Sequence, residues 1–182
     1  MAESGGRGGP IRWVVAGPRR VVDAVRRNHA LEHGAVMIML ARGRPAPSRL
    51  VGRAAPDGFY VYGRVDTDTL TGCAHEALER FHRGERSLAL TPLCGTNIAV
   101  TGVLAGLAAV VTMGRRPSVD RLANVFAACT AAVVAAQPVG RWVQQHVTTR
   151  ADLDSIEIVG VRRGLGGVVR KVQTRDRRDR PA

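Results

Sequence analysis

The chain has 182 residues, enough for one compact domain or a small domain with an appendage. Its net charge of +12 comes from 27 basic residues against 15 acidic ones, nearly all of the basic ones arginine, which suits an anionic partner such as lipid headgroups or nucleic acid. Scarce aromatics (4%) and dispersed arginines argue against nucleic acid, and three cysteines without a C-x-x-C spacing exclude a disulfide framework and a zinc finger.

Residues 1–10 are polar and Gly-rich and read as a disordered arm; they contain no apolar core of a signal peptide. An α+β domain is expected over residues 11–95. Its first helix starts near Pro18, a residue tolerated at the first helical position, and ends by Gly43. Arg19, Arg20, Arg26 and Arg27 oppose the helix dipole there, so a surface or lipid role is expected of them.

Within this helix lies His29-Ala30-Leu31-Glu32-His33, an H-x-x-E-H spacing. Histidines four residues apart project from one helical face, one turn apart, so both imidazoles reach a single metal ion. Glu32 falls on the same side, placed to hold a water as general base. At about 100° per residue, Val22, Val25, His29, Glu32, His33, Val36 and Leu40 share one sector, which sets the three polar groups in an apolar stripe. Residues 35–41 are apolar all round, which predicts a buried helix end. Buried polar groups need partners, since an unsatisfied one costs about 1–3 kcal/mol. A metal satisfies all three. Two core histidines bonded to Glu32, to each other and to backbone would also do so.

A hairpin is predicted next: Pro56-Asp57-Gly58 is a turn signal before the β-prone Phe59-Tyr60-Val61-Tyr62. Residues 66–69 offer an N-cap for a second helix, amphipathic through Leu70, Cys73, Ala74, Ala77, Leu78 and Phe81. His75, Glu79 and His82 fall on its solvated face, whereas Glu76 flanks the apolar stripe. Gly84 ends it, and residues 87–90 read as a short strand.

Residues 96–113 and 122–140 then contain no charge, each long enough to approach the thickness of a hydrocarbon core. A turn with three arginines separates them. Residues 96–141 therefore read as a transmembrane helical hairpin, with two buried helices of a soluble bundle as the alternative. Gly102-x-x-x-Gly106 and the Ala-rich second segment supply small residues for close packing or self-association. Arg141-Trp142 suits a membrane interface. Arginine counts near the span ends favour both termini in the cytoplasm by four to three, a multi-pass arrangement suited to a bacterial inner membrane. Residues 142–174 supply two strands that complete the α+β domain, and residues 175–182 read as a charged, disordered tail.

At the entrance to the first apolar segment stands Pro92-Leu93-Cys94-Gly95-Thr96-Asn97. Thr96 or Asn97 is expected to cap the helix, leaving Cys94 at headgroup level. A Cys94 thiolate would be a third ligand for zinc; Glu76 is the competing candidate, and a buried free cysteine is also an ordinary small hydrophobe. Together NHALEH, GFYVYG, the EAL helix with its following GE, and CGTN before paired apolar segments resemble an uncharacterised bacterial membrane-protein family, a domain of unknown function, over roughly residues 25–160. That resemblance implies membrane residence and points to His29, Glu32, His33 and Cys94 without giving them roles. The H-x-x-E-H motif alone resembles the inverted-motif zinc peptidases, whose third ligand is a later Glu, for which Glu76 follows too soon. The expectation is an α+β domain docked on a membrane hairpin with a zinc site: either a metal-dependent hydrolase with Glu32 as base, or a non-catalytic module with structural histidines. No separate cofactor-binding residues are indicated, and the substrate is not legible.

Overall fold

Helix α1 (Pro18–Ala41) is the element against which the others are placed. It is seen in a computed structural model that describes residues 17–43, 50–114 and 118–179; the expected arm over residues 1–10 lies outside them. Its buried side carries Ala30, Leu31, Ala35, Ile38 and Met39, which form the core together with the sheet and the second helix. This is the side opposite the H-x-x-E-H stripe. Two members of that stripe, Val22 and Leu40, are 55% and 37% exposed, so the stripe is not the core face that its apolar character suggests.

Strands β1 (Val51–Ala55) and β2 (Gly58–Tyr62) form the expected hairpin. Strands β3 (Ile156–Arg163) and β4 (Val169–Asp176) come from the far end of the chain, and the sheet is antiparallel in the order β1-β2-β4-β3. Gly58 has φ +137°, and a Cβ there would fall 1.9 Å from the Val172 carbonyl oxygen, so only glycine lets β2 lie this close to β4. Helix α2 (Thr67–His82) starts with the Asp66 carboxylate accepting from the Thr69 N–H at 2.9 Å. It buries Leu70, Cys73, Ala74, Ala77, Leu78 and Phe81, as the spacing predicts. Its closest approach to α1 is at Gly34, where a Cβ would lie 2.9 Å from Phe81 Cε2.

Two local expectations are corrected. Residues 87–90 are not a strand: Arg86–Ala89 is a 3-10 turn. The segment crosses α1 and has no strand beside it, so its backbone is satisfied locally, by Leu88 N–H to Glu85 and Leu90 N–H to Ser87. Residues 175 and 176 belong to β4 instead of a disordered tail, and Arg177–Asp179 forms a further 3-10 turn. Asp176 holds this end in place. Its Oδ2 pairs with Arg27 Nη1 at 3.1 Å, and although burial works against it, hydrogen bonds from the Arg178 guanidinium and backbone N–H hold its carboxyl down at about 2.

Arg26 and Arg27 are corrected likewise. Arg27 is 7% exposed and also reaches Asp152; Arg26 donates to the carbonyls of His146 and Thr149. They tie α1 to the C-terminal part of the chain, and of the four arginines expected at the surface here only Arg19 and Arg20 are exposed.

Helices α3 (Gly95–Met113) and α4 (Leu122–Val143) form the apolar pair, α4 continuing as a π-helical turn (Gln144–Thr148). Both are long and apolar enough to cross a membrane, and only 6% of the residues in each apolar window are buried. Among the described residues nothing covers them, so they are not buried in a core of this chain. Half-buried Thr101, Leu104, Ala105 and Ala108 on α3 face a seam with Val125, Ala128, Cys129 and Ala132 on α4. Gly102 and Gly106 lie outside it: a Cβ at either would meet nothing within 4 Å.

The hairpin is locked to the rest at its root by buried amides. Gln144 Oε1 accepts from the Thr91 N–H at 3.1 Å, and Asn97 Nδ2 donates to the carbonyls of Thr91 and Pro92. Asn97 lies directly against Gly140, where a Cβ would fall 2.0 Å from its Oδ1.

A comparable buried amide, Asn28, joins α1 to the sheet. Its Nδ2 donates to the carbonyls of Ala55 and Pro56, and its Oδ1 accepts from Thr174 Oγ1. Replacing Asn28 with Ala leaves these groups without their partner at a 2% exposed position. The variant is expected to lose about 2–3 kcal/mol of stability, measured by denaturant unfolding in detergent.

Candidate metal centre

Three side chains from two elements meet at the hairpin root. His29 and His33 project from one turn of α1, and Cys94 stands at the N-cap of α3. Their candidate ligand atoms all lie within 4.8 Å of one another. The ring centroids of His29 and His33 are 4.3 Å apart, edge to face. Cys94 caps the helix itself, its Sγ accepting from the Thr96 N–H at 3.4 Å, where the sequence suggests Thr96 or Asn97. The reason is that Asn97 turns inward to the hairpin root instead.

Each imidazole is oriented by a backbone carbonyl. His29 Nδ1 lies 2.9 Å from the Thr148 oxygen, and His33 Nδ1 lies 2.6 Å from the Ala89 oxygen. A carbonyl only accepts, so both Nδ1 atoms carry the proton in the neutral rings, and the Nε2 lone pairs are the free ones. His29 Nε2 is 3.5 Å from Cys94 Sγ. Thr148 and Ala89 carry no side-chain chemistry for this task, and sequence patterns do not register them.

The electrostatics match this geometry. Burial works against a thiolate at Cys94, but hydrogen bonds from His29, His33 and Thr96 overcome it and pull the thiol down to about 5; in that state the thiol proton sits on the imidazole Nε2 facing Sγ, which is then a donor and not a free lone pair. Burial likewise disfavours an imidazolium at His29, and the neighbouring Cys94 and the Thr148 carbonyl raise it above its ordinary value. Glu32 is pushed up by burial, against the pull of the two histidines. Its Oε2 lies 3.9 Å from His29 Nε2, at the edge of the cluster.

The other sequence candidates lie elsewhere. Glu76 pairs with Arg42 and Arg80 on the flank of α2 and is not part of the His29, His33 and Cys94 cluster. His75 is exposed and its Nδ1 contacts the Thr71 carbonyl; His82 Nε2 contacts the carbonyl of Leu153. Gly52 on β1 is a participant that the sequence does not flag. A Cβ there would fall 1.8 Å from Glu32 Oε1, so the bare backbone of β1 forms the wall against which the carboxylate rests.

The profile of the family described as Domain of unknown function (DUF6391) matches residues 24–161, and the chain belongs to this family. An uncharacterized protein of Picosynechococcus sp. is 40% identical over 141 residues, covering 71% of this chain and 68% of that protein. No solved structure matches the chain. The matched range contains His29, Glu32, His33, Cys94 and both apolar helices.

Gly52→Ala is expected to destabilise the protein by about 1–3 kcal/mol through the collision with Glu32. In a Glu32→Ala background the same change should cost little, because the colliding group is gone. A double-mutant cycle on thermal unfolding measures the difference; equal costs in both backgrounds would refute the contact.

Proposed function

We propose that this family member is an integral membrane metalloprotein that binds one zinc ion through His29 Nε2, His33 Nε2 and Cys94 Sγ, and that it is a metal-dependent hydrolase with Glu32 as general base. The observation that carries the metal reading is the pair of Nδ1–carbonyl hydrogen bonds. Metal-ligating histidines characteristically use their second nitrogen this way, which fixes the tautomer and ring orientation. The separation of 3.5 Å between His29 Nε2 and Cys94 Sγ already matches the edge of a zinc tetrahedron, which is about 3.6 Å from ordinary Zn–N and Zn–S lengths. Two imidazoles and a thiolate are a donor set that suits zinc.

Three protein ligands leave a tetrahedral position for water, the arrangement of catalytic zinc sites. A metal there would act as a Lewis acid on that water and on a substrate oxygen. Glu32, whose Oε2 lies 3.9 Å from His29 Nε2 at the edge of the cluster, would be the group to take that water's proton. The apolar pair α3 and α4 would span the membrane as a hairpin, with both termini on the cytoplasmic side of a bacterial inner membrane. Their open Gly102/Gly106 face would serve self-association.

Detergent-purified protein is expected to contain about one zinc per chain by elemental analysis. His29→Ala, His33→Ala and Cys94→Ser should each lose it, and His75→Ala/His82→Ala should keep it. Glu32→Gln should keep the metal and its position in the fold but lose hydrolysis. If Glu32→Gln releases the metal instead, Glu32 is a fourth ligand and the site is a closed, structural one. Protein that remains in the supernatant of carbonate-washed membranes would sink the membrane reading.

A further inference from the structure

The H-x-x-E-H stripe of α1 raises a question that the core does not answer. Ala30, Leu31, Ala35 and Ile38 point into the α+β core. The opposite side carries Val22, Val25, His29, Glu32, His33, Val36 and Leu40. In its middle the histidines meet the hairpin root. At its ends, seven residues before and eleven after His29, Val22 is 55% exposed and Leu40 is 37% exposed. Glu32 and His33 in the middle are buried, at 7% and 3% exposed, so the apolar side chains that the chain leaves uncovered are those at the two ends of the stripe.

The surroundings point to what covers them. Cys94 immediately precedes the first apolar span, and Thr148, which holds His29, ends the helical extension of the second. The site therefore lies at the level where both spans end. Around it stand further uncovered apolar side chains: Leu93 at 69%, Trp142 at 58% and Val147 at 53% exposed. Helix α1 meets the hairpin at this root and has no extended packing along either span, so it crosses the hairpin instead of running beside it. Cations flank the stripe. Arg19 and Arg20 are exposed at its N-terminal end, as is Arg141 beside Trp142. A cleft of about 380 Å3 lined by Pro18, Arg19, Val22, Asp23 and Arg26 lies on this face, and Arg26 Nε, buried, has no hydrogen-bond partner among the described residues.

From these features we infer that α1 lies in the headgroup layer of an anionic bilayer with the exposed ends of its stripe, Val22 and Leu40, toward the lipid, so that the half-buried His29 edge of the site takes a lipid-borne amphiphile from the bilayer and not a solute from bulk water. An in-plane helix has this composition: apolar residues on one side, arginines at the boundary. The anionic headgroup is the partner of the exposed Arg19 and Arg20. The substrate part of the inference rests on the hydrolase reading, and the placement of α1 rests on the membrane reading of α3 and α4, which carbonate extraction tests separately.

The test uses full-length protein in vesicles, with both native tryptophans changed to Phe and one tryptophan restored at a chosen position. Val22→Trp and Leu40→Trp should both show blue-shifted emission and lose most of their intensity to brominated phosphatidylcholine. Glu79→Trp, on the exposed face of α2, should respond only to aqueous quencher. Phosphatidylglycerol should deepen the quenching at position 22, and Arg19→Glu/Arg20→Glu should abolish that increment. Quenching at only one of positions 22 and 40, or at neither, overturns the in-plane placement. In cobalt-loaded protein, headgroup-labelled dansyl phosphatidylethanolamine should be quenched, and Cys94→Ser should remove the effect. Cobalt bound without such quenching overturns the lipid-facing site. Failure to bind metal refutes the metal reading alone, and the tryptophan results still decide the placement.

Discussion

An imidazole whose Nδ1–H is held by a backbone carbonyl has one nitrogen left to offer, and its direction is fixed. His29 and His33 are both held in this way, by Thr148 and Ala89. Those two carbonyls come from segments far apart in sequence, one before the apolar pair and one after it. The site thus forms only when both ends of the hairpin are seated against α1. The thiolate at Cys94 depends on the same bonds, because oriented imidazoles are what stabilise it against burial.

Helix α1 serves two surfaces at once. One side is ordinary core, and its approach to α2 relies on the missing Cβ of Gly34. The other side holds Glu32, which fits only because Gly52 presents bare backbone. Arg27, Asn28 and Glu32 are all 7% exposed or less. Buried polar groups at this density are tolerated because partners are supplied from the sheet and the C-terminal segment: Asp152 and Asp176 for Arg27, Thr174 for Asn28. The contacts that hold the fold and those that hold the site lie on consecutive residues of one helix.

The apolar pair is joined to this assembly by polar chemistry, not by apolar packing. Gln144 is fully buried, bonded to the Thr91 backbone, and Asn97 bridges the segment before α3. Directional bonds of this kind set the angle and depth of the helices at the point where Cys94 must meet two histidines. Apolar packing alone would allow the helices to slide.

Much of this was legible from the chain alone, because it rests on local periodicity. The 3.6-residue spacing of Leu70 to Phe81 dictates the buried face of α2, and the run of uncharged residues dictates the lengths of α3 and α4. The i, i+4 spacing of His29 and His33 puts two imidazoles on one face whatever surrounds them. Tertiary structure decided everything that depends on a partner distant in sequence. It brought Cys94 to the two histidines and drew Glu76 to Arg42 and Arg80 instead. It turned the stripe around Val22 and Leu40 away from the core, since periodicity identifies an apolar face but not what covers it. It recruited Arg27 and Asp176, which in sequence read as a surface charge and a tail, into one buried pair. The carbonyls of Thr148 and Ala89 and the bare Cα of Gly52 escape sequence reading for a simpler reason. The two carbonyls are backbone atoms that every residue has, and the missing Cβ of Gly52 matters only against the side chain that the fold places there.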